Sequence, residues 1–374
     1  MSDPAVRFGE ETDRDEVRRL AHVEPMGHAI GHADQVALFA DDFVHLAIDV
    51  QGELAGTGNE DPNDTNLLAS RDWKFLVLKA RRNSPQAGLY LIDTSNDKLT
   101  QFDSSAAVFT LIGFHGHNFL YDLQSGTVPL SQGGHELIKS YNADALQLNQ
   151  LDSNVEQGTA DSYAYQSFSN FYLVPSGLIY TVQWYTYDNT GVGYDVSSLN
   201  DFIRGIGPAG QNKKDYQALS ATTSGYIQAT LAAPDEVYFG VYNYGTNKNV
   251  SYEYKDQSVH TDSDISDNSL QQNYPTYLIS PSGQKTFWTD LRDGKHTLFI
   301  GDENATGQHA LATDGSYTPY GWFTENYLLV SKNSSELYIM PVSGLKTSKA
   351  PLKITDYYKS PQSFLGYGYG YGGL

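Results

Sequence analysis

The stretch SPSGQKTFWTDLRDGKHTLFIGD, residues 280–302, decides the fold. It opens with a turn at Ser280–Gly283 and runs into strand formers from Lys285 to Thr289. A charged second turn, LRDGKH, follows, and the strand formers resume as LFIGD at 298–302. Serine and aspartate fold back on nearby backbone amides in such turns, and glycine supplies the positive φ that they need.

The pattern recurs. Residues 70–103, SRDWKFLVLKARRNSPQAGLYLIDTSNDKLTQFD, begin at a serine turn and resume with LYLID at 89–93 after a charged turn. A third copy, NYLLVSKNSSELYIMPVSG at 326–344, carries LYIM at 337–340. LIDTSNDKLTQFD (91–103) also aligns without gaps on SYNADALQLNQLD (140–152) at a shift of 49, so that Leu99 meets Leu148, Gln101 meets Gln150 and Asp103 meets Asp152. A spacing near 40–50 with several strands per copy is the signature of propeller blades. A single four-stranded sheet has two apolar faces and cannot bury both; stacking sheets around an axis buries every face, and a ring removes the ends.

The expected fold is therefore all-β, a β-propeller of six or seven four-stranded blades over residues 35–374, with a short N-terminal helical extension over residues 1–34. Blades are expected near 65–103, 104–153, 163–219, 226–262, 274–315 and 316–358, the third and fourth matching the repeat poorly. A further incomplete unit at 35–60 would pair with the other chain end to lock the ring. TDRDEVRRLAHVE at 12–24 is the best helix candidate, with Thr12 or Asp13 as its cap. The C-terminal SFLGYGYGYGGL alternates tyrosine and glycine, as a strand or as a flexible tail.

On these residues the chain resembles the TolB-like β-propellers, whose repeat is also called PD40 or WD40-like. Ser280, Pro281, Gly283, Arg292, Asp293, Gly294, Leu298 and Phe299 fit its pattern, while Ser282 stands where an aspartate is expected. The copy at 70–103 keeps Ser70, Asp72 and Arg82 but has Arg71 for the proline and Trp73 for the glycine. The resemblance implies the fold; the motif residues hold blades together and carry no chemistry.

The net charge of −20 excludes nucleic acid and anionic lipid as natural partners. With no cysteine in the chain, disulfides, thiol catalysis and zinc–thiolate sites are excluded. No apolar run is long enough for a membrane span. The charged N-terminus lacks an apolar segment of the kind a secretory signal needs, so export would depend on a targeting segment absent from this chain.

Chemistry-bearing candidates are few. His115 and His117 stand two apart in GFHGHNF, a spacing that puts both rings on one face of a strand; His28 and His32 stand four apart. Trp184, Tyr185 and Tyr187, in the least repeat-like segment, form a candidate stacking platform for a peptide or a sugar, the alternative being a long hairpin whose rings pack on a neighbouring blade. Tyr320 and Trp322 either face the axial channel or pack between blades. Asp188, Asp195 and Asp201 lack the spacing of a calcium loop. RGIGPAG at 204–210 matches the pyrophosphate cradle of the GNAT acyltransferases, a reading that needs a helix at 208–219. No serine-nucleophile elbow and no HExxH motif occurs, and SPSGQKTFW is out of phase with a sialidase Asp-box.

The expectation is a monomeric, non-catalytic binding module at the cell envelope or outside the cell, without cofactor or metal. Its expected partner is a protein or peptide, or a carbohydrate. The competing expectation is a hydrolase or lyase acting on a sugar or peptide in the axial channel.

Overall fold

The computed structural model describes residues 67–355 except 81–86, 97, 105–107, 126–134, 159–161, 190–193, 219–224, 244–246, 273, 293, 314–316, 333–335 and 343–350. The helix expected at 12–24, the pair His28 and His32, the unit expected at 35–60 and the tyrosine–glycine tail lie outside the described residues.

The strands form six antiparallel sheets, each built from consecutive strands. Blade 1 comprises β1 (Leu67–Ala69), β2 (Phe75–Ala80), β3 (Gly88–Asp93) and β4 (Lys98–Asp103). Blade 2 comprises β5 (Val108–His115), β6 (Asn118–Ser125), β7 (His135–Asn142) and β8 (Gln147–Ser153). Blade 3 has five strands: the short β9 (Glu156–Gly158), then β10 (Ser162–Val174), β11 (Gly177–Asn189), β12 (Tyr194–Ile206) and β13 (Lys214–Ala218). Blade 4 comprises β14 (Gly225–Ala233), β15 (Glu236–Asn243), β16 (Lys248–Lys255) and β17 (Ser258–Thr261). Blade 5 comprises β18 (Leu278–Ile279), β19 (Lys285–Arg292), β20 (Lys295–Asp302) and β21 (His309–Ala312), and blade 6 comprises β22 (Tyr317–Thr324), β23 (Tyr327–Lys332), β24 (Glu336–Pro341) and β25 (Leu352–Thr355). The fold is the expected β-propeller, with six blades. LYLID, LFIGD and LYIM each fall in the third strand of their blade, as the repeat requires.

The two central strands of blade 1 are apolar on both faces. Every residue of β2 except Lys79, and every residue of β3 except Gly88 and Asp93, is a buried apolar one. The core accordingly lies between blades. Phe75, Val77 and Leu91 of blade 1 meet Phe109, Phe119 and Tyr121 of blade 2. Leu120 and Ile138 meet Leu178 and Val182 across the next seam, Ile179 and Ile203 meet Phe239 and Tyr252 across the third, and Phe287 and Ile300 meet Trp322 and Val330 between blades 5 and 6. After blade 4 a helix, Asp267–Gln271, starts from a Ser266–Ser269 capping box. Its Leu270 sits so close to Gly240 that a Cβ there would lie 2.1 Å from Leu270 Cδ1.

The first and last blades also meet. The Trp73 indole N–H of blade 1 donates to the Trp322 carbonyl of blade 6. No described strand is shared between first and last blades.

The turn that opens the repeat is the same in blades 1 and 5. Ser70 N–H donates to Phe75 O at 2.8 Å and Ser280 N–H to Lys285 O at 2.7 Å, while the serine hydroxyls accept from Phe75 N and Lys285 N. Gly283 has φ +79°, and Trp73 holds the equivalent position at +63°.

Candidate functional site

Blade 3 departs from its neighbours in length. β10, β11 and β12 each have 13 residues, whereas β5, β6 and β7 have 8. The β10–β11 turn at Pro175–Ser176 is the counterpart of the Gly116–His117 turn of blade 2, so the extra length lies at the opposite end of the sheet. Five more residues extend it by about 16 Å. A bulge between Ser169 and Tyr172, with Asn170 at φ +53°, marks where the extension starts. The Asn170 amide is held by Thr181 Oγ1 at 3.0 Å, which fixes the bend and re-aims the strand beyond it.

The register places tyrosines opposite one another along this extension: Tyr163 faces Tyr187, and Tyr165 faces Tyr185. Tyr165 and Tyr185 stack with centroids 5.5 Å apart, and both are half-buried. Trp184 points to the other face of the sheet, since successive residues alternate. Its backbone N–H donates to the buried Asp201 at 3.0 Å. Of the three residues expected to form a stacking platform, Tyr185 and Trp184 lie on opposite faces, and Tyr187 pairs through its backbone with Tyr163. Tyr165 joins Tyr185 on its face, and only the β10–β11 register reveals it.

The other candidates are dispersed. Trp322 is buried in the seam between blades 5 and 6, where its indole N–H donates to Leu278 O at 2.7 Å and its ring meets Phe287 edge-on. Tyr320 is half-buried at a bulge of β22. Asp188 and Asp195 are a cross-strand pair of β11 and β12, so with Asp201 they form no loop. Arg204 ends a strand and is followed by turns and then β13, not by the helix that a pyrophosphate cradle needs.

His115 and His117 diverge. His115 ends β5 with Nε2 3.1 Å from Pro175 O; burial, and secondarily the Arg71 charge, push its pKa down. His117 lies in the turn and spans two carboxylates, Nδ1 to Asp144 at 2.5 Å and Nε2 to Asp72 at 2.9 Å. Burial alone would lower its pKa, but the hydrogen bonds with Asp144 and Asp72 outweigh that and hold it above the ordinary value. Lys74 joins from the other side, 2.6 Å from Asp144. Beside this network lies a cleft of about 260 Å³ between blades 1 and 2, floored by Phe75 and Leu91 and edged by Lys98 and the exposed Leu146.

Two carboxyls with strongly raised pKa values are buried. Asp122 and Glu136 lie buried in the seam between blades 2 and 3, joined by the Gln124 amide at 3.2 and 3.3 Å. Burial, and for Asp122 the Glu136 charge, raise them to about 8 and about 7.

No family model and no curated protein matches the chain. Among solved structures it is similar to the β-propeller domain of the trilobed protease from Pyrococcus furiosus, at 13% identity and a TM-score of 0.38, over 79% of this chain and 86% of that one. It is similar to the Pyrococcus horikoshii acylaminoacyl peptidase at 13% identity and 0.37, over 79% of this chain and 45% of that longer one. TolB from Acinetobacter baumannii matches at 13% identity and 0.28, over 75% of this chain and 61% of TolB. The six sheets themselves carry the conclusion: the chain is a six-bladed β-propeller in architecture.

Proposed function

We propose that the chain is a non-catalytic binding module whose partner, a protein or peptide, docks on the extended end of blade 3. One observation carries this reading. Three strands outrun their neighbours and bring Tyr165 and Tyr185 into a stacked cross-strand pair. Tyrosine gives large, stiff contact area with a polar tip at low entropic loss, which suits recognition of another chain or of a sugar ring. A rigid ring behind the extension reduces the ordering that binding requires. The competing enzymatic reading needs shifted carboxyls open to substrate; Asp122 is fully buried and Glu136 is 6% exposed. A cell-envelope or secreted setting goes with this proposal and accords with a cysteine-free, acidic chain.

The test places a photo-crosslinking amino acid at Tyr185 in the full chain, with a control at Lys353 on blade 6, in envelope extract. The reading expects a discrete crosslinked protein from position 185 alone, lost when Tyr165→Ser is added. Equal crosslinking from both positions, or none from 185, overturns it.

A further inference from the structure

Blade 4 carries a second cluster, on its outer edge and unrelated to the tyrosine face. Glu253 on β16 stands directly opposite His260 on β17. Asp262 follows two residues later, and its backbone N–H still donates to Ser251 O at 3.0 Å, so pairing continues one step beyond the strand. Alternation then puts the side chains of Glu253, His260 and Asp262 on one face. Their donor atoms all lie within 4.8 Å of one another, with Glu253 Oε2 and His260 Nε2 2.8 Å apart.

The geometry points to a divalent first-row transition-metal site formed by Glu253, His260 and Asp262. One imidazole nitrogen and two carboxylate oxygens form a mixed set that suits zinc-like ions better than calcium or magnesium, which prefer oxygen alone. Bonds of 2.0–2.1 Å in a tetrahedron set neighbouring ligand atoms about 3.4 Å apart, so a small opening of the Glu253–His260 pair admits the ion. The surrounding charge favours a cation. Glu236, itself a carboxylate, stands beside this cluster on β15. Lys255 makes its ion pair at 2.7 Å with Glu236. An ion would tie β16 to β17 and to the segment entering the Asp267–Gln271 helix. The four-residue β17 is the outermost strand of its blade, the kind of edge that gains most from a clamp.

Calorimetric titration of Zn²⁺ into the full, tag-free chain at about pH 7.5, with Ca²⁺ and Mg²⁺ in parallel, tests the site. One Zn²⁺ per chain is expected, weakened at least ~10-fold by His260→Ala and by Asp262→Asn, and unchanged by His309→Ala. Circular dichroism identifies any variant that fails to fold, and Asp262→Asn, nearly isosteric, keeps the test alive if His260→Ala does. Absence of saturable Zn²⁺ binding, binding indifferent to both substitutions, or preference for Ca²⁺ overturns the proposal. The readout is ion binding at blade 4, so its outcome is separate from docking at blade 3.

Discussion

The Tyr121 hydroxyl donates to the Asp103 carboxylate at 2.7 Å across the seam between blades 1 and 2. The next seam repeats the device, with Tyr180 donating to Asp152 at 2.5 Å. Each tyrosine has a cation directly opposite on the following strand, Lys139 for Tyr121 and Arg204 for Tyr180, and each cation reaches the same aspartate, at 3.0 and 2.6 Å. Asp103 and Asp152 close the outer strands of their blades, so each bolts its own blade to the next. Tyrosine supplies a buried neutral donor and the cation a compensating charge, which lets a carboxylate stay ionised where water is scarce.

Loss of the aspartate should therefore hurt more than loss of its donor. Burial pushes the Asp152 carboxyl upward, but Lys213, Tyr180 and Arg204 outweigh it and leave it below the ordinary value. Its contribution is present above the unfolded value of about 3.8 and is lost as pH falls towards the lower folded value. Tyr180→Phe leaves both cations in place and is expected to lower stability by about 1–2 kcal/mol in urea unfolding at neutral pH. Asp152→Ala takes the buried anion from Arg204 and Lys213, leaving Arg204 only its ion pair with the more exposed Asp215, and is expected to lower it by about 3 kcal/mol. Equal effects would show that the charge is not buried in any energetic sense.

The repeat turn yields a second expectation. Gly283 at φ +79° has open space where a Cβ would stand, the nearest atom being Arg71 Nη1 at 4.0 Å. Gly283→Ala should thus lose only the backbone preference, about 1–2 kcal/mol. Trp73 bears the same conformation in blade 1, and its indole N–H reaches the Trp322 carbonyl across the ring-closing seam. Trp73→Gly relaxes the backbone yet removes that link and the ring, so it is expected to lower the thermal midpoint more than Gly283→Ala does. A smaller effect would mean that this seam gains little from the tryptophan.

Much of this architecture is legible in the sequence, because it is written in turns and alternation. The serine turns, the third-strand LYLID-type runs and the shift of 49 locate blades 1, 2, 5 and 6, and the Asp103–Asp152 coincidence already contains the seam bolt. Its partners are hidden, since Tyr121 and Tyr180 lie outside the aligned segment and only strand register brings a cation opposite each. Blade 3 matches the repeat poorly because its strands run past the repeat length. The platform residues are recognisable by type, but the partnering of Tyr185 with Tyr165 depends on a β10–β11 register that passes a bulge at Asn170, which no local pattern announces. Likewise, the spacing of His115 and His117 implies one face only if both are on a strand, and Gly116 and His117 form the turn.

The buried pair Asp122 and Glu136 sets a pH dependence of opposite sign to that of Asp152. Asp122 faces Gln124 and Glu136; Glu136 also accepts from Phe168 N–H at 3.0 Å and is hydrogen-bonded by Ser167. Asp122 Oδ1 has no hydrogen-bond partner in the described structure. Because both carboxyls hold protons more tightly folded than unfolded, their contribution is present below about pH 4 and declines as pH rises through about 7 and about 8. Each proton contributes up to about 1.4 kcal/mol per pH unit in that window. Asp122→Asn should flatten the slope and raise stability at about pH 8 while changing little near about pH 4. Denaturant unfolding across this range checks it; an unchanged slope would place the titration elsewhere.

His117 makes the rim of blades 1 and 2 pH-sensitive near neutrality. Hydrogen bonds with Asp144 and Asp72 stabilise the imidazolium, and its folded pKa lies above the ordinary 6.5. The stabilisation is complete below that value and disappears as pH climbs past the folded one. Asp144 also holds Lys74, so Asp144→Asn removes an anion from two cations at once. In an NMR titration of the imidazole protons, His117 should titrate above 6.5 in the parent and move down in Asp144→Asn, with His115 displaced the other way from the ordinary value in both. Added salt should shrink the His117 shift, since Asp72 and Asp144 are partly solvent-exposed and screening weakens exposed pairs. If His117 titrates below 6.5, the two carboxylates do not hold the ring in solution and the network between the blades is not formed there.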